Sequence, residues 1–323
     1  MAYSLDNRLV IGVSARVLFD LCRENKIFEE QGVEAYAAYQ TAHENEVLSP
    51  GPGFALIKAL LSLNSYKDRE NRVEVLLMSR NSPDLSLRIF HSIEHYGLPI
   101  TRAFFLSGAP LAPYLTAFHT DLFLSACEED VQSAIDAGIA AGIVCSEGRA
   151  YGENTANAEQ IRIAFDGDAV LFSDEAERIF VEKGLEAFEC SEKEKAALPL
   201  CAGPFARFLK LLSDLQQEFD QTKVPIRTAL VTARCAPAHE RVIRTLRAWN
   251  VRVDEAFFLG GITKKDVLAA FGAQIFFDDQ LQHTKLAAEV VPAARVPAMR
   301  VQTKSSQTTA NIYRLERKIN EVS

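Results

Sequence analysis

Residues 160–175, QIRIAFDGDAVLFSDE, set an apolar run (Ile161, Ile163, Ala164, Phe165) directly before two carboxylates, Asp166 and Asp168. A second apolar run (Val170, Leu171, Phe172) follows at once. If the first run is a buried strand, its end cannot hold two ionised carboxylates close together uncompensated, because desolvation and mutual repulsion both disfavour the charged forms. A divalent cation is the simplest compensation. Oxygen-only donors favour Mg2+, which commonly takes one or two carboxylates plus a substrate phosphate. Gly167 between the acids lets the backbone turn close to a ligand. The same residues also suit a polar strand-to-helix turn, with Asp166 as a turn residue and Asp168 as a helix N-cap.

Working outward, the stretch has a counterpart near the start of the chain. Leu9 to Val13 is an apolar strand candidate ending in Ser14-Ala15-Arg16. Setting Ser14 on Asp166, 152 positions on, places Ile27-Phe28 on Ile179-Phe180, Gly32 on Gly184 and Gly51-Pro52 on Gly203-Pro204. One inserted residue makes the separation 153, after which Arg88 to Ala126 matches Arg241 to Asp279 with about ten identities in roughly forty positions. These include Ala103-Phe104-Phe105-Leu106 on Ala256-Phe257-Phe258-Leu259. The fold expected is therefore α/β, with two tandem Rossmann-like parallel-sheet units from an internal duplication, at about 1–150 and 158–302. In the second unit the strands are Ile161 to Phe165, Thr228 to Val231, Ala256 to Leu259 and Gln274 to Phe277, with a helical cap insertion at about 174–222. Gly148 to Asn157 reads as the linker, and 303–323 as a polar tail with a short helix over Asn311 to Asn320.

The repeat acts as a control. Asp166 faces Ser14, Asp168 faces Arg16, Lys264 faces Leu111, Asp278 faces Ser125 and Asp279 faces Ala126. The hydrophobic frame persists while these charges do not, so the fold does not require them. Thr228-Ala229-Leu230-Val231-Thr232 closes an apolar strand on a hydroxyl, which also suits a helix N-cap. Lys264 is either a solvated first-turn lysine or a point charge for a phosphoryl group. Together, strand ends delivering Asp166, Asp168, Thr232, Lys264, Asp278 and Asp279 to one edge suit metal-assisted phosphoryl transfer.

Phe165-Asp166-Gly167-Asp168-Ala169-Val170, Thr232, Lys264 and Phe277-Asp278-Asp279 together resemble the four motifs of the haloacid dehalogenase (HAD) phosphatases. More narrowly, both halves are similar to the cytosolic 5'-nucleotidase I family, through DGDAVLFSDE, GLEAF, Gly203 to Phe205, IFFDDQ, SRNSPD (Ser79 to Asp84) and SIEHYGLPITRAFFLSG. The resemblance implies a Mg2+-dependent enzyme hydrolysing nucleoside 5'-monophosphates, with Asp166 as nucleophile and Asp168 as general acid and base. It implies phosphate contacts from Thr232 and Lys264. The metal ligands it implies are Asp166, the backbone carbonyl of Asp168, and one of Asp278 and Asp279. Phe188 and Phe205, in the cap, are candidates for base or ribose contact, though aromatics at helical spacing also serve as core. Ser79, Arg80 and Asn81 are candidates for substrate recognition or an interface, or form an ordinary polar turn with Pro83. The first copy is expected to be catalytically silent. Two alternatives stay open: a phosphatase for another small phosphate ester, and a non-enzymatic nucleotide sensor.

The chain as a whole narrows the classes. It has 323 residues, 48% hydrophobic, with a formal net charge of -8. The acidic balance and the lack of clustered Lys and Arg argue against a nucleic acid polymer as partner. No apolar run approaches the roughly 18 residues of a membrane span, and MAYSLDNRLV lacks a signal peptide's basic and apolar regions, so cytoplasmic residence is expected. A homo-oligomer is compatible with all of this. The six cysteines show no C-x-x-C pairing. Cys235 to Arg241 (CAPAHER) satisfies the C-x5-R spacing of cysteine phosphatases but has no Gly to wrap amides around phosphate. His91 and His95 form an isolated i,i+4 pair, better read as surface or core histidines.

Overall fold

The computed structural model describes residues 5–66, 72–144, 160–220 and 223–300. The proposed linker and the C-terminal tail lie outside the described residues. Ten strands form the sheet: β1 Leu9–Ser14, β2 Val73–Ser79, β3 Arg102–Phe105, β4 Leu122–Ser125, β5 Ala140–Val144, β6 Ile161–Phe165, β7 Ile226–Thr232, β8 Glu255–Phe258, β9 Ile275–Asp278 and β10 Ala293–Arg295. Their order is β3-β2-β1-β4-β5-β10-β9-β6-β7-β8. The second half thus repeats the order of the first, reversed. Neighbours run parallel within each half, as burial on both faces by crossover helices requires.

The two halves are joined in one continuous ten-stranded sheet. The seam is β5 against β10, an antiparallel pair with Ala294 beside Val144 and Arg295 beside Ile143. Because the seam is antiparallel, the strand C-termini of the two halves lie on opposite edges of the sheet. Gly142 sits where the seam is tightest: a Cβ there would lie 2.8 Å from the Ala294 Cβ and 3.2 Å from the Phe277 ring.

The turn that follows β6 is stapled from one side. Gly203 N–H donates to Leu171 O at 2.8 Å and Phe205 N–H to Val170 O at 3.0 Å. The first half repeats the staple, with Gly51 N–H on Leu18 O and Gly53 N–H on Val17 O, both at 2.9 Å. These equivalences correct the gap-free match between the halves. Phe19 pairs with Pro50 as Phe172 pairs with Ala202, so the second half carries one more residue before its bridge. It falls in the wide turn Gly167–Leu171, where Ala169 adopts φ 59°. Beyond the bridge the match returns to 152, since Gly32 and Gly184 both break their helices at positive φ, 84° and 82°.

The insertion expected as a cap divides in two. The helix Ala206–Gln217 lies on the sheet, with Phe208, Leu209 and Leu212 fully buried at the i, i+1, i+4 spacing of an inward stripe. Only the helix Glu175–Glu194 stands over the strand ends, and it leaves Phe180, Val181 and Leu185 exposed. Among the described residues, no helix is long and apolar enough to cross a membrane.

Gly203 has the least room. A Cβ there would stand 2.3 Å from Phe172 O and 2.5 Å from Val170 O, both backbone atoms. Gly203→Ala is expected to destabilise the chain by about 2 kcal/mol or more, read as a lowered denaturation midpoint in urea. An unchanged midpoint would show that the turn is not held by this staple.

Candidate active site

Two adjacent parallel strands, β6 and β9, end on the acids. Phe165 is in register with Phe277, and Asp166 N–H donates to Phe277 O at 2.8 Å, so the ladder itself fixes Asp166 beside Asp278. The ring of Phe165 stacks on that of Phe277 at 5.6 Å, which locks the floor beneath the acids. Asp166, Asp278 and Asp279 each place a carboxylate oxygen within 4.8 Å of the others. Lys264, at the start of the helix Lys265–Phe271, sets its Nζ 2.8 Å from Asp166 Oδ1 and 2.6 Å from Asp278 Oδ2. Those atoms are buried, so one ammonium faces three carboxyl groups.

The imbalance shows in the titration. Burial pushes Asp166 up to about 7; Lys264 opposes the rise, and the Asp278 and Asp168 charges add to it. Burial, with the Asp166, Glu177 and Asp278 charges behind it, pushes Asp279 up to about 8. Asp278 is also buried, but His283, Lys264 and the Gln280 N–H outweigh the burial and hold it below the usual carboxylate range. The three therefore titrate as a unit rather than singly. Asp278 is already partnered: Lys264 and His283 Nδ1 (3.3 Å) stand against Oδ2, and Gln280 N–H donates to Oδ1 at 2.9 Å. Asp279 Oδ1, by contrast, is buried with no hydrogen-bond partner. Three converging carboxylates, one with an unsatisfied buried oxygen, and a negative surplus fit a hard divalent cation.

Asp168, two residues on, is held differently. Arg234 donates from Nε and Nη2 to the two Asp168 oxygens, 2.7 Å each, a bidentate fork. Its remaining amino group, Nη1, binds Glu192 on the helix Glu175–Glu194, and Phe188 covers the guanidinium with its ring centroid 5.5 Å away. Thr232 ends β7 fully buried; its Oγ1 accepts the Arg234 N–H at 3.2 Å and would stand 3.1 Å from a Cβ on Gly167. A side chain at Gly167 would crowd Thr232, and the hydroxyl faces the turn between the two acids.

The other sequence candidates go elsewhere. Phe205 is fully buried between Phe165, Phe208 and Phe277, with ring centroids 4.5 Å apart from the last, so it is core and not a substrate contact. Ser79 ends β2, with Arg80 and Asn81 just beyond it, and all three lie on the sheet edge opposite Asp166, which removes them from this site within one chain. There Arg80 pairs with Asp130 at 2.6 Å and Asn81 donates to Tyr36 Oη at 2.8 Å. Arg241 of the C-x5-R spacing is bound to Glu192 and to Leu198 O, and so forms no anion loop with exposed Cys235. His91 Nδ1 meets Glu44 O at 2.8 Å and His95 packs on Tyr96.

A carboxyl group raised on folding binds its proton more tightly in the folded chain. The stability this confers is complete below the unfolded value and is lost as pH climbs through the folded value. In chelator, Asp279→Asn is therefore expected to melt above wild type near pH 8, with the gap closing as pH falls toward 4. Thermal unfolding at the two ends of that range checks it; a gap independent of pH would mean that folding leaves Asp279 charged.

The family model for 5'-nucleotidases matches residues 1–303. The chain is similar to human cytosolic 5'-nucleotidase 1B, with 39% identity over 289 residues, 86% of this chain and 47% of that protein. It thus spans about half the length of the curated relative it matches.

Proposed function

The chain belongs to the 5'-nucleotidase family, and on that premise we propose that it hydrolyses nucleoside 5'-monophosphates to nucleoside and phosphate. The observation that carries this reading is the convergence of Asp166, Asp278 and Asp279 around Lys264, with Asp168 one turn away on Arg234. An Asp166 oxygen attacks phosphorus, and the bond from phosphorus to the 5'-oxygen breaks. Asp168 gives its proton to that leaving oxygen, then takes one from the water that attacks the aspartyl-phosphate, releasing phosphate and restoring Asp166. Lys264 Nζ and the Thr232 hydroxyl hold the phosphoryl oxygens. Asp166, the Asp168 backbone carbonyl and one of Asp278 and Asp279 would hold Mg2+, which would supply neutralisation of the charge on the transferring group. Asp279, whose buried Oδ1 has no hydrogen-bond partner, is the better placed of the two to serve as that ligand.

Phe188 borders the site and is the remaining aromatic candidate for the base or ribose. The N-terminal half is read as a duplicated, silent copy, since Ser14, Leu111, Ser125 and Ala126 stand where the charges would be. The relative is cytosolic by name, and the same residence is proposed for this chain.

Asp166→Asn is expected to lower phosphate release from nucleoside monophosphates in Mg2+ by more than about 10^3-fold, while Cys235→Ser stays near wild type. A panel of nucleotides and sugar phosphates, assayed for released phosphate, decides it. Turnover of sugar phosphates alone would keep the chemistry and remove the nucleotide; an active Asp166→Asn would remove both.

A further inference from the structure

We infer that Glu192 is a positioning residue for Asp168, acting through Arg234. The inference rests on the role given to Asp168 above. The helix Glu175–Glu194 buries only Ala176 and Glu192, and Glu192 is 1% exposed. A carboxylate so enclosed must be matched by cations. Two hold it: Arg234 through Nη1, and Arg241 through its own Nη1 at 2.8 Å. Arg241 is fixed in turn by its Nε on Leu198 O at 2.9 Å. Because a guanidinium is planar, pinning Nη1 on Glu192 also sets the direction of the opposite edge, Nε and Nη2, which carries both bonds to Asp168. The plane of the Asp168 carboxylate follows from where Glu192 stands.

The first half docks its helix with the acid at a different position. Its counterpart helix, Cys22–Ala42, buries only Glu24 and Gln40. Gln40 matches Glu192 and Tyr36 matches Phe188, while Asn81 matches Arg234 and Arg88 matches Arg241. The ring pairs agree as well: Phe28 meets Tyr36 edge-on at 6.0 Å, and Phe180 meets Phe188 edge-on at 6.3 Å. Yet the link through Gln40 is neutral, the acid opposite Arg88 being Glu24 on the helix's first turn, at 2.6 Å. Arg88 donates to Gln40 at 3.3 Å, Gln40 donates to Tyr36 Oη at 2.9 Å, and Asn81 donates to the same oxygen at 2.8 Å. The acid that holds Arg88 in the first half thus stands on the helix's first turn, where it does not reach Asn81 and there is no acid to orient. What the charged pair adds in the second half is reach to Asp168, a group that must address first the leaving oxygen and then water. Displacing such a group by about 1 Å costs about 10^2-fold in rate.

Steady-state kinetics of phosphate release from a nucleoside monophosphate, in Mg2+, test this with Glu192→Gln, Arg234→Gln and the double variant. Glu192→Gln is expected to lower kcat about 10- to 100-fold with KM changed less than about threefold. Its melting temperature is expected to fall, because Arg241 loses the buried acid opposite it, so the kinetics are read well below the transition. In the Arg234→Gln background the same change should cost less than about twofold, because the route is already cut. A Glu192→Gln kcat within about twofold of wild type, or an equal fold-loss in both backgrounds, overturns the inference. Should Glu192→Gln not fold, the quadruple variant Ala176→Glu, Phe188→Tyr, Glu192→Gln, Arg234→Asn rebuilds the first-half arrangement, with the acid at the place of Glu24. It should fold and lose kcat as Arg234→Gln does; an unfolded or fully active quadruple variant overturns the inference. Asp166→Asn in the same assay separates the two levels. Its retained turnover removes the reading of the site itself, whereas a dead Asp166→Asn beside an intact Glu192→Gln removes only the role of Glu192.

Discussion

One buried ammonium stands between Asp166 and Asp278, and a third carboxyl group, Asp279, closes the same circle. A single cation cannot neutralise three acids, so without a further positive charge part of the cluster has to keep its protons. That shortage of positive charge is what the surrounding structure supports. The β6–β9 ladder brings the acids together, the stacked Phe165 and Phe277 rings keep water from beneath them, and the helix beginning at Lys265 delivers the lysine. A site built so holds energy in reserve for whatever cation and phosphoryl group enter it. Asp168 is kept out of this competition by a guanidinium of its own.

The antiparallel seam decides how the two halves relate. Because β5 and β10 run in opposite senses, each half presents its strand C-termini to a different edge, and the polar residues ending β2 cannot contribute to the acids ending β6. The halves share a continuous apolar core through Phe277, Gly142 and Ala294 without sharing a site. The first half can therefore lack the acids and the lysine of the second, or place its buried acid elsewhere on the helix, at no cost to the second.

Much of this was legible in the residues. The placement of Asp166, Thr232, Lys264 and Asp278 at strand ends followed from short apolar runs closing on polar groups, and the repeat separated charge from frame. The seam strands were not legible: AAGIV and AAR are short and carry little alternating signal, and pairing with β4, with β9 and with each other makes them strands. Phe205 and the helix after it were misread because an insertion at the cap position was treated as one body. The stripe of Phe208, Leu209 and Leu212 belonged to the sheet. The turn Gly167–Leu171 hid its extra residue, since no composition signal marks a widened turn. Arg234 and Glu192 were missed although the signal existed: the comparison that paired Asp166 with Ser14 also pairs Glu192 with Gln40 and Arg234 with Asn81.

The central claim is that the acidic cluster of the second half performs phosphoryl transfer through Asp166. The most direct measurement is mass spectrometry of peptides from enzyme quenched in acid during turnover of a nucleoside monophosphate with Mg2+. The account predicts a phosphoryl group on the tryptic peptide Ile163–Arg178, lost on standing at neutral pH. A phosphoryl group on the peptide bearing Cys235, or steady turnover with no labelled peptide at all, would contradict it.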